Sequence, residues 1–209
     1  MKVAGAASWT IVVDEWSSLL ESPLWLRAAE RIEVAPEGLV PGALAIDPLP
    51  APSLEAGLAA EPALAEAWRA WWQASVAQAF GKPTGDFARD TAIRARFGPP
   101  GFESVAPGPL REAAQRRWAE AMKWHNARKR AGVQAMIADG ARQPEGEVVR
   151  AVEAQLGRRA EPFSVSLTVI PVLDDRIRSV GGRAFLIPEH LRGTPRYADW
   201  LHGLVRALA

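Results

Sequence analysis

The sequence predicts an α+β fold in which three to four helices pack on a small, mainly antiparallel sheet, with long proline-rich loops between them. Three observations support this fold class. Apolar residues recur at helical spacing in several segments, and in one further segment they alternate with polar residues as in a strand. Most of the 17 prolines lie outside these predicted helices and this predicted strand. A length of 209 residues suits one domain. We expect a single domain over 1–209, or a domain to which 1–53 is only loosely joined.

Near the N-terminus, the apolar run Trp9–Val13 predicts a strand. The apolar stretch before Asp14 is too short for a secretion signal, so we expect a cytoplasmic protein. Residues 34–53 carry five prolines and should form neither helix nor central strand. Their several Leu, Val and Ile residues indicate that this loop lies against the protein.

Residues 62–80 give the strongest helical pattern in the chain. Pro62 marks the start of this helix and Gly81 its end. The residues that recur at spacings of three and four are Leu64, Trp68, Trp71, Trp72, Val76 and Phe80. Adjacent Trp71 and Trp72 diverge by about 100° around a helix. One face therefore need not bury all three tryptophans, and Trp71 is the one whose burial the pattern supports least. They belong either to a large aromatic core shared with Trp9, Trp16 and Trp25 or to an apolar surface that binds another protein.

The proline-rich stretch 81–108 predicts a second irregular loop, and Pro109–Ala131 predicts a second helix that ends at Gly132. Arg116, Lys123 and Arg130 are seven residues apart and should share its solvent side. A third helix is predicted over Pro144–Leu156.

The C-terminal part predicts a strand, a hairpin and a final helix. Phe163–Val169 alternates apolar and polar residues, which predicts a strand. Ile177–Ile187 predicts one or two returning strands, interrupted at Gly181-Gly182. We expect these returning strands to pair antiparallel with the strand Phe163–Val169. Asp174-Asp175 predicts a turn rather than a carboxylate pair. Thr194 should cap the last helix, with Pro195 in its first position. Its apolar stripe is Tyr197, Leu201, Leu204, Val205 and Leu208.

The composition excludes several kinds of chemistry. The chain has no cysteine, which removes disulfides and thiolate sites, and no run of about 18 uncharged apolar residues, which argues against a membrane span. No nucleotide-binding, zinc-protease, hydrolase or EF-hand motif is present. Proton transfer would fall on His125, His190, His202 or a carboxylate, and the spacing of Glu189, His190 and His202 does not favour a metal site. We expect no cofactor.

Two features indicate a partner. Nine tryptophans are an unusual number for this length, and tryptophan and arginine are enriched at binding hot spots. Residues 81–130 carry 11 basic and 5 acidic side chains, against 4 and 10 in residues 1–80. The candidate partner-binding residues are Trp71, Trp72, Arg116, Lys123, Trp124, Arg128 and Arg130.

These features favour a non-catalytic accessory or adaptor protein that binds another protein chain, or a second copy of itself, through a surface rich in tryptophan and arginine. One alternative is a nucleic-acid-binding protein that uses the basic helix 111–130, because aromatic side chains among cations suit stacking on single strands. A second alternative is an enzyme whose active site lies in the clefts formed by the two proline-rich loops. The sequence does not decide among these three functions.

Overall fold

Four strands and seven helices make up the part of the chain that the computed structural model describes, which is residues 9–138 and 144–209. The N-terminal part contains β1 (Thr10–Asp14), α1 (Ser18–Ala29), α2 (Ala56–Ala59), α3 (Pro62–Ala79), α4 (Phe87–Ala95) and α5 (Pro109–Ala138). The C-terminal part contains α6 (Pro144–Leu156), β2 (Ser164–Ile170), β3 (Arg178–Gly181), β4 (Ala184–Pro188) and α7 (Pro195–Leu208). The α+β class is confirmed, but the predicted helix number of three to four was too low.

The sheet has the order β1-β2-β4-β3 and is mixed, which corrects the prediction of a mainly antiparallel sheet. β2 lies between β1 and β4 and is parallel to both, while β3 and β4 form an antiparallel hairpin. The antiparallel pairing expected between Phe163–Val169 and Ile177–Ile187 was therefore wrong. The chain passes β2, forms β3 at the far edge, and returns as β4 between them. The hairpin interrupted at Gly181-Gly182 is confirmed, and both glycines have positive φ.

The sheet has one apolar core on each of its two faces. The helical core is formed mainly by α1, α3 and α5, and it also contains Ile170 and Leu186 of the sheet. The second core lies between the sheet and helices α6 and α7, where Leu167 and Val169 meet Leu201 and Val205. Alternation along β2 explains the division, because successive side chains of a strand point to opposite faces.

The predicted helices at 62–80, 144–156 and 195–208 are confirmed, and Thr194 caps α7 by accepting a hydrogen bond from the N–H of Tyr197. The second predicted helix continues past its expected end to Ala138. Gly132 does not stop it. A Cβ at Gly132 would lie 2.9 Å from the indole of Trp16, so this glycine allows a close approach rather than ending the helix.

Helices α1 and α4 were missed by sequence reasoning. Nine of the 12 residues of α1 are buried, so it lacks the polar face that makes a helix recognisable, and Pro23 lies inside it. The loop predicted over 81–108 contains α4, which starts where the side chain of Asp86 accepts hydrogen bonds from the N–H groups of Ala88 and Arg89. The prolines flank this short helix rather than interrupting it.

The first proline-rich segment, 34–53, forms no helix and makes a single β-bridge, between Leu44 and Val172. Val40 and Leu44 are buried in the helical core, so the expectation that this loop lies against the protein is confirmed. Arg27 of α1 holds it by donating to the carbonyl oxygens of Pro41 and Gly42. Burial lowers the pKa of Arg27 to about 10, which leaves the guanidinium protonated at neutral pH.

No helix in the described residues is long and apolar enough to cross a bilayer.

Candidate functional site

The three tryptophans of α3 are all buried, as the aromatic-core interpretation predicted. Trp68, Trp71 and Trp72 are 0%, 2% and 0% exposed. Trp68 and Trp72 stack with ring centroids 5.8 Å apart, and their indole N–H groups donate to the carbonyl oxygens of Pro23 and Leu39. Trp71 packs edge-on against Phe102. In this conformation neither Trp71 nor Trp72 presents a surface to a partner.

The basic helix α5 divides its candidate residues between two sides. Arg116, Lys123 and Arg130 are exposed, as their spacing predicted, and Arg116 has only a loose 3.9 Å ion pair with Glu112. Trp124 is half-buried against the helical core, and Arg128 pairs with Glu21 of α1 and with Glu189, which follows β4. The part of α5 after Glu120 contains four basic residues and no acidic one.

A second group of tryptophans forms a groove on the surface of the helical half. We call it the aromatic groove. Its volume is 440 Å³, which is within the range of small-molecule and side-chain pockets. Its lining includes Trp16, Phe97, Trp118, Arg94, Ser17, Ser18, Asp14 and Gln78. These residues come from the β1–α1 connection, the C-terminal ends of α3 and α4, and the middle of α5.

Two of the three aromatic side chains of the groove are fixed by contacts on the side that faces away from the groove. Trp16 lies on Gly132, and its backbone N–H donates to Oδ1 of Asp14 at 3.2 Å. Trp118 packs edge-on against the buried ring of Phe102, with centroids 5.3 Å apart. All three groove aromatics are half-buried, so their outer faces remain accessible.

The groove lining contains one cationic side chain, Arg94, and one anionic side chain, Asp14. Arg94 is exposed, and its charge interacts with that of Asp90, which lies four residues earlier on α4. The first turn of α1 also borders the groove, and the side chain of its N-cap, Ser17, makes no capping hydrogen bond. The N-terminal N–H groups of a helix favour a negative charge nearby. The Asp14 carboxylate accepts the N–H of Trp16 and keeps its negative charge, so it opposes these two groups.

A separate cluster of charged residues lies where β1 and β4 end. Arg192 pairs with Glu15 and with Glu145, and Tyr197 donates to Glu145 at 2.8 Å. Burial disfavours the Glu145 carboxylate, but hydrogen bonds from Arg192 and Tyr197 outweigh burial and hold its pKa below the usual value. Burial and the Glu145 charge raise the pKa of Tyr197. The phenol therefore stays protonated and remains a donor.

Arg128 and His125 of α5 extend this cluster to α1. Arg128 bonds Glu21 and Glu189, each at 2.6 Å, and Nδ1 of His125 lies 2.7 Å from Glu21. Burial disfavours the charged guanidinium, yet the hydrogen bond and charge of Glu21 outweigh it and raise the pKa of Arg128. These residues therefore join the helical half to the sheet through paired charges. A cavity of 470 Å³ beside them is lined by Glu15, Glu147, Glu189 and Arg192, among others.

The remaining histidines and the aspartate pair have local partners. Asp174 accepts hydrogen bonds from the Arg178 guanidinium and from backbone N–H groups, as the predicted turn requires. His190 contacts Asp175 at 2.7 Å and His202 contacts Gln155 at 3.0 Å. Within the described ranges, no three His, Asp or Glu side chains are grouped so as to hold a metal ion.

Sequence reasoning did not identify Trp16, Arg94, Phe97 or Trp118 as one site. They belong to three distant segments, so no spacing along the chain connects them. The indication that the sequence did contain was the number of tryptophans, because the chain has nine and α3 contains only three of them.

In comparisons with known proteins, the chain matches no protein-family model, no curated protein and no solved structure.

Proposed function

We propose that this protein is a non-catalytic adaptor that binds a segment of another protein chain in the aromatic groove. The segment would carry a large apolar side chain next to an acidic group. The observation that carries this proposal is the convergence of Trp16, Phe97 and Trp118 on one groove beside Arg94.

The apolar part of the partner follows from the groove walls. Half-buried aromatic side chains lose their remaining water contact when an apolar side chain fills the space between them, and burial of apolar surface is the main driving force of association. Tryptophan and arginine are also the residue types most enriched among binding hot spots. The groove thus has the composition that was expected of the adaptor surface, although it uses tryptophans outside α3.

The acidic part of the partner follows from the charge of Arg94 and from the N–H groups in the first turn of α1. Arg94 can form a bidentate pair with a carboxylate or phosphate, and the first turn of α1 favours the same sign of charge. Among the described residues, none of the three histidines lines the groove, so the groove lacks the side chain best suited to proton transfer near neutral pH.

A displayed library of random peptides tests this proposal on the full chain. We expect selected peptides to combine a large apolar residue with a neighbouring Asp or Glu. Arg94→Glu should weaken their binding by about ten-fold or more. Arg89→Glu is the matched control, because Arg89 is exposed on the same helix and does not line the groove. Equal binding by wild type and Arg94→Glu would reject the groove as the site.

A second candidate function is nucleic-acid binding by the outer side of α5. It is favoured by the run of four basic residues without an acidic one after Glu120. If RNA or DNA is the ligand, affinity should fall steeply with salt, and the triple reversal of Arg116, Lys123 and Arg130 to Glu should reduce both the affinity and its salt dependence. No binding of RNA or DNA at low salt would reject this function. Binding that survives the triple reversal would exclude this surface.

A further inference from the structure

Helix α4 has no buried residue, although all nine of its residues are helical. Only Asp90 and Ile93 are partly covered, and the other seven residues are exposed. Phe87, the first residue of the helix, is 87% exposed, which is the highest value among the large apolar side chains of the described residues. Its ring therefore keeps nearly all of its contact with water, which burial against a partner would remove.

Hydrogen bonds at its N-terminus hold α4 in place of packing. Isolated helices shorter than about 12 residues are only marginally stable in water. The side chain of Asp86 accepts hydrogen bonds from the N–H groups of Ala88 and Arg89. The N–H and hydroxyl of Thr84 donate to Asp90 at 3.0 and 2.8 Å. These bonds fix the backbone on both sides of Phe87, so the exposed ring is presented from an ordered helix end.

The other end of α4 forms part of the aromatic groove. Arg94 lines the groove, and so does Phe97, which follows the helix. Phe87 and Arg94 are seven residues apart, so they lie on the same side of α4, about 10 Å from each other along its axis. One side of α4 therefore carries an exposed aromatic ring at its beginning and an edge of the groove at its end.

The beginning of α4 has the chemistry that the groove is proposed to bind. Phe87 is a large apolar residue, and Asp86 directly precedes it. Both capping hydrogen bonds of Asp86 use Oδ1, which leaves Oδ2 to accept from a guanidinium. Charge along the segment is complementary to that of a second, antiparallel copy. Residues 84–90 carry two carboxylates and one guanidinium, whereas residues 91–98 carry two guanidinium groups and no acidic side chain.

Leu173 is a second exposed apolar residue with acidic neighbours, but its carboxylates are already paired. Leu173 is 65% exposed and precedes Asp174 and Asp175. Asp174 pairs with Arg178, and Asp175 pairs with His190 and Arg196. The segment at Asp86 and Phe87 is thus the better match to the groove.

We propose that the protein forms a reversible dimer in which Phe87 of each copy enters the aromatic groove of the other copy. This inference rests on the proposed function, since it names a second copy of the chain as an occupant of the groove. The two α4 helices run antiparallel across a two-fold axis, so the same contact forms twice. In each contact the phenyl ring lies among Trp16, Phe97 and Trp118, beside the guanidinium of Arg94. One short helix and one groove per copy make a small interface, so we expect a dissociation constant on the order of 10 μM.

Sedimentation equilibrium of the full chain tests the dimer. The wild type should shift from monomer to dimer as its concentration rises from about 1 to about 500 μM. Phe87→Ala should raise the dissociation constant by about ten-fold or more, without a change in melting temperature, because the removed ring is exposed. Leu173→Ala is the matched control, since it also removes an exposed apolar side chain, and it should dimerise like the wild type.

Cross-linking tests the antiparallel arrangement, because the chain has no cysteine of its own. Thr91 lies between Phe87 and Arg94 on the same side of α4, so its two copies should meet near the two-fold axis. Thr91→Cys should therefore form a disulfide-linked dimer under mild oxidation, and a further Phe87→Ala substitution should prevent it. Ala92→Cys is the matched control, because position 92 is also exposed but turned by about 100° around the helix. It should cross-link far more slowly.

Three results would overturn the inference. They are a wild type that stays monomeric at about 500 μM, equal dimerisation by wild type and Phe87→Ala, and equal cross-linking through positions 91 and 92. A monomeric wild type that still selects peptides from the displayed library would leave the proposed function standing, so the two failures can be told apart.

Discussion

The carboxylate of Glu30, the residue that follows the last turn of α1, lies 2.7 Å from the guanidinium of Arg117 on α5, and the Glu30 side chain is fully buried. The same carboxylate accepts hydrogen bonds from the backbone N–H groups of Ser53 and Leu54. The buried carboxylate of Glu30 therefore joins α1 to α5 and also binds the end of the first proline-rich segment. The guanidinium of Arg117 also lies over the ring of Trp25, 5.1 Å from its centroid.

Replacement of Glu30 by Gln should strongly destabilise the fold, because it leaves a buried guanidinium with weaker compensation. We expect a loss of about 3 to 5 kcal/mol in the free energy of unfolding, measured by denaturant titration. Glu112→Gln is the control, since its pair with Arg116 is exposed and should contribute less than about 1 kcal/mol. Similar losses for the two variants would show that the Glu30–Arg117 pair is not a principal tie between α1 and α5.

The apolar stripe of α7 gives a graded prediction. Leu201 is 0% exposed in the core beneath the sheet, whereas Leu204 is only half-buried at its margin. Leu201→Ala should cost about 2 to 5 kcal/mol of stability. Leu204→Ala should cost clearly less, because part of its surface already contacts water. The reverse order of the two melting temperatures would mean that α7 is rotated on the sheet.

Two glycines should respond to alanine in opposite directions. A Cβ at Gly42 would lie 2.8 Å from Oδ2 of Asp174, which Arg178 holds in place, so Gly42→Ala should destabilise by about 1 to 3 kcal/mol. Gly203 lies inside α7 with nothing within 4 Å of its Cβ position, so Gly203→Ala should stabilise by about 0.5 to 1 kcal/mol. Denaturant midpoints measure both. A stable Gly42→Ala variant would show that the loop is not held tightly against Asp174.

Local signals in the sequence located most of the regular elements but not their arrangement. Capping residues and apolar periodicity define α3, α6 and α7, because these helices each have a buried and an exposed side. Helix α1 has almost no exposed side, so periodicity gives no sign of it. The parallel pairing of β1 with β2 joins Thr10 to Ser164, and no local pattern encodes a partner so distant in the chain. The aromatic groove depends on the same long-range arrangement, so the number of tryptophans could indicate a binding surface but not the residues that form it.

Glu145 should make the stability of the fold sensitive to acid. Its carboxylate bonds the Tyr197 hydroxyl and the Arg192 guanidinium, which hold its pKa below the value of 4.5 expected for an exposed glutamate. The folded state therefore binds fewer protons at this position than the unfolded state. The stabilisation is fully present above pH 4.5 and is lost as the pH falls below it, through the lower pKa of the folded protein.

Glu145→Gln removes the titrating group, so it should lower stability at neutral pH and flatten the pH dependence below pH 4.5. Glu147→Gln, on the same turn of α6 but exposed, is the control and should follow the wild type. Denaturant midpoints at several pH values measure all three proteins. If Glu145→Gln and wild type lose stability in parallel, protonation of Glu145 does not contribute to acid unfolding.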